Sequence, residues 1–333
     1  VLTVNRGFVT VESNLFASQI EIHAKTGGVV PEVAARNHVR AILPVIQKTY
    51  GRKKPDCIAV TAGPGLVTSV SVGVHTARAL SVVWGVPLVA VNHIEGHLYA
   101  NWLPAAKEIL GFKFRIPNIA FPALVLIVSG GHTELVLMRD HGKYKKIGQT
   151  LDDAAGEAFD KVARMLDLGY PGGPAISREA ERGDVTRFDF PRALLHDPVR
   201  RHDFSFSGLK TSVLYTVRDL KQERKFSKQL IPHLCASFEQ AVVDVLVKKT
   251  VRAAREYRVK SVLLGGGVVA NKRLRAQIRE HLECTLPDVH LHIPDLKYCT
   301  DNAVMIAVAG YFHARKRDFI PWQKVDVRAG WSL

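Results

Sequence analysis

Two imidazoles four residues apart, His93 and His97 in the stretch Val91-Asn92-His93-Ile94-Glu95-Gly96-His97, have the residue type and spacing for coordination chemistry. On an α-helix, positions i and i+4 lie one above the other, so both rings can reach one ion. Glu95, two positions along, points off that face. The zinc-protease helix reads His-Glu-x-x-His, with its general base beside the metal, whereas the order here is His-x-Glu-x-His. Two ligands do not close a site, and the pair also fits two unrelated surface histidines. A third donor must come from elsewhere. Asp301 is a candidate, because a carboxylate suits iron or zinc beside imidazole. Its spacing does not select it, and it serves equally as the cap of the helix that follows.

Three glycine turns follow strand-like segments: Ala62-Gly63-Pro64-Gly65, Ser129-Gly130-Gly131-His132-Thr133 and Gly265-Gly266-Gly267. Glycine lets backbone N–H groups converge on phosphate oxygens with no Cβ in the way, and a helix N-terminus adds its dipole. None fits Gly-x-Gly-x-x-Gly in its strand–helix context, and none ends in Lys-Ser/Thr, which argues against a dinucleotide fold or a P-loop NTPase. Each alone fits a tight turn. Three of them at strand carboxyl ends point to a nucleotide site. Asp153, Glu157 and Asp160 lie near one helical face, beside Asp152, and read either as a site or as a solvated acidic face. Gly156 inside that helix costs about 1 kcal/mol relative to alanine and implies a close neighbour.

The elements that must position these residues follow an α/β grammar. Residues 1–10 and 11–20 read as short strands, the first turning at Asn5-Arg6-Gly7, and Thr26-Gly27-Gly28 reads as a loop. Pro31 opens a helix that stops at Gly51. A strand over 57–61 empties into the first glycine turn, a small-residue helix covers 67–83, and a strand over 86–91 delivers the chain to the His93 helix. Residues 101–118, with Pro104, Gly111 and Pro117, read as a connection. The pattern then restarts: strands over 123–129 and 133–139 form a hairpin tipped by Gly130-Gly131. Helices follow over 152–168, 175–181, 209–221 and 230–257, with a break at 169–174 and a loop-rich stretch over 184–206. A strand over 261–264 feeds the third glycine turn, Asn271 starts a helix, a strand lies within 286–293, and Thr300-Asp301-Asn302 caps a last helix over 303–317. No internal repeat is legible at the level of residues.

At 333 residues the chain is long for one core, and two lobes are expected. Its 46 Lys+Arg against 31 Asp+Glu give a net charge of +15, in clusters that include Arg52-Lys53-Lys54, residues 143–146, Arg200-Arg201, Lys248-Lys249, Lys272-Arg273 with Arg275, and residues 315–317. Such a balance fits a polyanionic partner, nucleic acid first. The longest apolar run, over 119–128, contains a proline and falls well short of the roughly 18 residues that span a bilayer. Four cysteines (Cys57, Cys235, Cys284, Cys299) show no Cys-x-x-Cys pairing. A soluble, cytoplasmic protein with no membrane partner is the expectation.

Several ordered segments together resemble one family: HIEGH at 93–97, VSGGHT at 128–133, LDDAAGEAFDK at 151–161, YPGGP at 170–174, DFSFSGLKT at 203–211, GGG at 265–267 with Asn271, and CTDN at 299–302. In this order they resemble the bacterial TsaD branch of the universal threonylcarbamoyl-adenosine transferases, from about Gly27 to the last helix. The resemblance implies an actin-like, sugar-kinase-like (ASKHA) duplicated two-lobed α/β fold with an inter-lobe cleft. Residues 1–118 would form one lobe, 119–302 the other, and 303–333 a helix and tail packing back between them. It also implies an acyltransferase: threonylcarbamoyl passes from threonylcarbamoyl-AMP to the N6-amine of the adenosine 3′ of the anticodon, in tRNAs reading codons that begin with A. By the same resemblance His93, His97 and Asp301 hold one divalent metal, iron first and zinc second, while Ile127, Val128, Ser129, Gly130, Gly131, Asp160, Gly173 and Asn271 bind the adenylate. No protein nucleophile is implied. The implied partners are tRNA, a non-catalytic paralogue (TsaB), a small ATPase (TsaE) and an upstream threonylcarbamoyl-AMP synthase.

Family members open with a strand ending in an Ile-Glu-Thr-Ser-Cys-Asp-like phosphate loop, and this sequence begins with Val1 at what would be the next strand, so a truncated sequence is expected. Other readings remain at this point: a metalloprotease, against which the displaced Glu95 argues; a sugar kinase or nucleotide-switched chaperone on the same fold; and a silent scaffold subunit, which would be expected to have lost one of the three metal candidates.

Overall fold

In a computed structural model of the chain, which describes residues 1–26, 28–50, 54–104 and 110–333, the Asn5-Arg6-Gly7 signal makes a hairpin between β1 (Leu2–Asn5) and β2 (Phe8–Val11). Arg6 and Gly7 both have positive φ, 49° and 80°, the primed turn that matches the twist of the flanking strands. Gly27, the Gly51 helix stop, Arg52 and Lys53, and residues 105–109 of the expected connection lie outside the described residues.

The chain divides into two units, Val1–Ile119 with Pro294–Leu333, and Ala120–Ile293. In the first, the hairpin is followed by α1 (Ile20–Ala24), α2 (Pro31–Thr49), β3 (Ile58–Gly63), α3 (Val67–Trp84), β4 (Leu88–Asn92), α4 (His93–Tyr99) and β5 (Lys113–Arg115). The strand expected over 11–20 does not form. The ladder ends at the pair Leu2↔Val11, and the polar Glu12-Ser13-Asn14 breaks the alternation that a strand needs. The connection expected over 101–118 instead contains β5, which closes a sheet in the order β1-β2-β5. Parallel β3 and β4 carry the first glycine turn and the histidine helix at their carboxyl ends. Ala62, Val74, Ala77, Leu88 and Val325 form the core beneath them.

The second unit is a five-stranded mixed sheet flanked by helices. Its elements are β6 (Ala123–Val128), β7 (Thr133–Asp140), β8 (Lys143–Gln149), α5 (Ala155–Met165), α6 (Gly172–Ala180), α7 (Ser207–Gln222), α8 (Ile231–Glu256), β9 (Ser261–Gly265), α9 (Lys272–Thr285) and β10 (His290–His292). The sheet runs β10-β9-β6-β7-β8; β10, β9 and β6 are parallel, and β7 and β8 antiparallel. β6 is buried along its whole length, as the central strand of such a sheet must be. The cluster at 143–146, read from the sequence only as basic surface, is in fact the edge strand β8 with Lys143 and Lys145 outward. Lysines on an edge strand also discourage pairing with another chain.

α8 is long and apolar enough to cross a membrane by length and composition, and 67% of its most apolar window is buried inside the protein. Lys249 on this helix is fully buried, and its ammonium donates to the carbonyls of Leu194 (2.7 Å), Arg200 (3.0 Å) and Arg201 (3.1 Å). All three of its donors are thereby used, which ties the 194–201 loop to the helix. The last helix, α10 (Ala303–Arg315), returns to the first unit and packs on α4, β3 and β4.

Candidate functional site

β4 passes into α4 without a loop. Asn92 ends the strand and caps the helix, its Oδ1 accepting from the N–H groups of Ile94 (2.9 Å) and Glu95 (3.4 Å). This cap sets the first helical turn so that His93, half-buried, and His97, buried, face the same side, their rings 4.8 Å apart and nearly perpendicular. Across from them α10 comes close, because Gly96 has no side chain: a Cβ there would sit 2.6 Å from Cδ1 of Ile306. The crossing brings Asp301, just ahead of α10, to the histidines. Its Oδ1 is 3.4 Å from Nε2 of His93 and 3.4 Å from Nε2 of His97.

The capping alternative for Asp301 falls away, because Asn302 caps α10 by accepting from the Met305 N–H at 2.9 Å. Desolvation of its oxygens against the two rings would raise the Asp301 carboxyl, although most of the side chain is exposed, but the hydrogen bonds and charges of both histidines outweigh it and hold it well below the usual carboxylate range. Burial would likewise lower His93, but the Asp301 carboxylate overrides it and raises the imidazole. With metal–ligand bonds of about 2.1 Å, the edge of a coordination tetrahedron is about 3.4 Å, so these donor separations fit one ion. Among the described residues this is the only His/Cys/Asp/Glu group clustered for a metal, and its two-histidine, one-carboxylate set leaves positions open.

Glu95 turns away, as its place in the motif implies. It is buried, with Oε2 2.8 Å from Nε2 of His313 on α10, whose Nδ1 lies 2.7 Å from Asp318. The hydrogen bond to Glu95 is the main cause that raises His313 to about 9. At neutral pH this is an ion pair clamping α4 to α10 behind the triad. The sequence offered no spacing signal for His313.

The residues expected at the adenylate converge at the carboxyl ends of β6 and β9 in the second unit. Ile127 and Val128 are fully buried in the sheet, so they present only backbone. Ser129 turns the chain, its Oγ accepting from the His132 N–H at 3.1 Å. The carbonyl of Ser129 accepts from the Gly156 N–H at 3.2 Å, and a Cβ on Gly156 would stand 2.6 Å from that oxygen. The close neighbour that Gly156 implied is therefore the hairpin tip. Farther along α5, Asp160 Oδ1 accepts from the Gly172 N–H at 2.8 Å, which joins it to the start of α6; burial raises its carboxyl. Gly130, Gly131 and Gly173 have open space where a side chain would be.

Asn271 Oδ1 caps α9 through the Leu274 N–H (2.8 Å), while its amide donates to Ser177 Oγ (3.0 Å) and Glu239 Oε1 (2.5 Å). Buried Glu239, which the sequence reading did not single out, also accepts from Ser177 Oγ and Arg273 Nε. The rest of the acidic set is committed elsewhere. Asp153 pairs with Lys161 and Lys210, Glu157 with Lys161, and Asp152 accepts from Ser205, Ser207 and the Phe206 N–H.

The family model described as tRNA N6-adenosine threonylcarbamoyltransferase (TsaD) matches residues 10–308. The protein of that name from Geobacillus thermodenitrificans is 50% identical over 317 residues, covering 92% of this chain and 87% of its own length. The one from Thermomicrobium roseum is 48% identical over 330 residues (92% and 86%), and that of Bacillus subtilis 50% over 304 residues (90% and 82%). Among solved structures, HypF of T. kodakarensis superposes with a TM-score of 0.58 at 15% identity, over 83% of this chain and 43% of that one. Full-length HypF in its phosphate- and nucleotide-bound form gives 0.56 at 14% identity, over 83% and 41%. The chain spans less than half of either HypF, and at such identity the likeness is one of α/β fold alone. With the family model matched over residues 10–308 and relatives about half identical across most of their length, the chain belongs to the TsaD family of tRNA N6-adenosine threonylcarbamoyltransferases.

Proposed function

We infer that this chain is a tRNA-modifying acyltransferase that moves the threonylcarbamoyl group of threonylcarbamoyl-AMP onto the N6-amine of the adenosine 3′ of the anticodon, in tRNAs reading codons that begin with A. The family match over residues 10–308 carries the reading, and the His93–His97–Asp301 geometry supports it. The N6 nitrogen forms a bond to the carbamoyl carbon, the bond from that carbon to the phosphate oxygen breaks, AMP leaves, and the amine gives up a proton. The carbonyl arrives already activated, so no protein nucleophile is required.

His93 and His97 through Nε2 and Asp301 through an oxygen would hold the divalent ion, iron first and zinc second. Bound there, it supplies Lewis acidity and a template for substrate oxygens. The turn that follows Ser129, whose own N–H is held by the His132 carbonyl, offers the Gly130 and Gly131 N–H groups without a Cβ in front of them, which suits phosphate. Asp160 has one oxygen on Gly172 and a second for ribose hydroxyls. Gly173 leaves room at the start of α6. Asn271, with Oδ1 on the α9 cap and its amide on Ser177 and Glu239, fixes the far wall by ordering α6 against α9.

The same proposal takes the two units as the lobes of an actin-like, sugar-kinase-like fold, supported by a glycine turn at a strand carboxyl end in each. It includes TsaB- and TsaE-like partners and a separate synthase for the adenylate. It also includes a cytoplasmic location, which four free cysteines support. The zinc-protease alternative lacks a general base at the metal, since Glu95 is held by His313.

Modified-nucleoside analysis tests the reading. A tRNA transcript is incubated with threonylcarbamoyl-AMP, iron, the metal-loaded chain and its bacterial partners. Threonylcarbamoyl-adenosine forms with the wild type and is absent with His93→Ala/His97→Ala. A wild-type reaction with no product would reject the assignment.

A further inference from the structure

A groove of about 350 Å³ opens in the second unit between α8, α9 and the loop before α7, lined by Arg201, Lys248, Arg252, Arg255, Glu256 and His281 around Val251. Its charge is lopsided. Glu256, the one acid, is taken by Arg201 and by Nε2 of His202 at 2.9 Å. Arg252 spends its guanidinium on the carbonyls of Leu195 and Arg201. Lys248 and Arg255 are exposed and make no ion pair or hydrogen bond among the described residues. They stand seven residues apart on α8, two helical turns or about 10.5 Å along the axis. The neighbouring Lys249 turns inward, so the outward pair is a feature of one helix face and not of the Lys248-Lys249 run as such.

We propose that this groove docks the sugar–phosphate backbone of the tRNA substrate, at a site separate from the adenylate-binding turn. Two unpaired cations two turns apart suit separate phosphates along a chain better than one small anion, which needs donors converging on a point. His281 adds a preference for ribose. Its Nδ1 lies 2.8 Å from the Gln277 carbonyl and must donate to it, so in the neutral ring Nε2 is an acceptor, able to take the 2′-hydroxyl proton that DNA lacks. Val251 gives the floor an apolar surface on which a ribose can rest. The net charge of +15 adds long-range attraction, but the groove gives it an address. The proposal rests on the transferase reading and adds a surface to it.

The test is direct binding of the intact, metal-loaded chain to an unmodified tRNA transcript across a salt series, with turnover measured in parallel. Lys248→Gln/Arg255→Gln should weaken tRNA binding at least about tenfold and lower the slope of log affinity against log salt by about 2, one for each lost phosphate contact. The KM for tRNA rises, while kcat at saturating tRNA and the affinity for threonylcarbamoyl-AMP hold. A variant with the same charge loss outside the groove, Lys143→Gln/Lys225→Gln, should show neither change. Equal tRNA affinity and slope in Lys248→Gln/Arg255→Gln and wild type would overturn the proposal, as would loss of a protein partner's binding with tRNA binding intact. Because binding is read without turnover, a wild type that binds tRNA but forms no product would count against the transferase reading and leave the groove decided by the variants.

Discussion

Two glycine turns written in the same grammar end in opposite states. Gly63-Pro64-Gly65 closes β3 and Ser129-Gly130-Gly131 closes β6, each at a strand's carboxyl end. The first is filled by the chain itself: a Cβ on Gly63 would lie 1.9 Å from the Arg328 carbonyl oxygen, the Arg328 N–H donates to Ala62 at 2.7 Å, and Trp331 accepts from Asn92 Nδ2 at 3.0 Å. Around Gly130 and Gly131 nothing stands within 4 Å of a built Cβ. A glycine is therefore required in the first turn because the protein's own backbone comes close, whereas the second leaves open the space where a side chain would stand. Sequence shows that glycine is present; only packing separates the filled turn from the open one.

Substitution should separate the two. Gly63→Ala is expected to cost about 4 kcal/mol or more, because the methyl group meets backbone that cannot swing aside and φ at this position is +151°. Denaturant unfolding of the purified variant reads this, and a loss below about 1 kcal/mol would show that the 328–331 tail is not the filler it looks to be. A smaller effect concerns the clamp behind the first unit's histidines. His313 is raised to about 9 when folded, against about 6.5 unfolded. Its pairing with Glu95 therefore contributes stability that is fully present below about pH 6.5 and lost as pH rises through about 9, on the order of 3 kcal/mol at most. Unfolding midpoints measured across that window should fall for wild type, and the fall should flatten in His313→Gln. Gly130→Ala is the smallest and the most telling. Stability should stay within about 0.5 kcal/mol of wild type, while calorimetry should find adenylate affinity reduced about tenfold, some 1.4 kcal/mol.

The histidine helix and its surroundings were legible because local signals coincide there: a strand, a capping Asn92, imidazoles at i and i+4, and then Asn302 opening α10. The choice between Asp301 as ligand and Asp301 as cap was not. Two adjacent cap-competent residues look alike until the crossing at Gly96 aims one of them at His93 and His97. β8 escaped because lysines dominate its exposed face, so charge masked the alternation. β5 escaped because three residues between loops carry no period, and they are a strand only through pairing with β2. Glu239 and His313 escaped for a shared reason: each is a polar group on an apolar helix, and the partners that give it its role lie 32 or more residues away in sequence, at Asn271 and Ser177 for buried Glu239 and at Glu95 for half-buried His313, whose nearby Asp318 gives no spacing signal by itself.

Hydrogen exchange with and without threonylcarbamoyl-AMP tests the central contrast most directly. The account predicts slowed exchange at the Gly130 and Gly131 amides on adding the adenylate, with the 62–65 turn unchanged. Slowing confined to residues 62–65, with 130–131 exchanging as before, would contradict it.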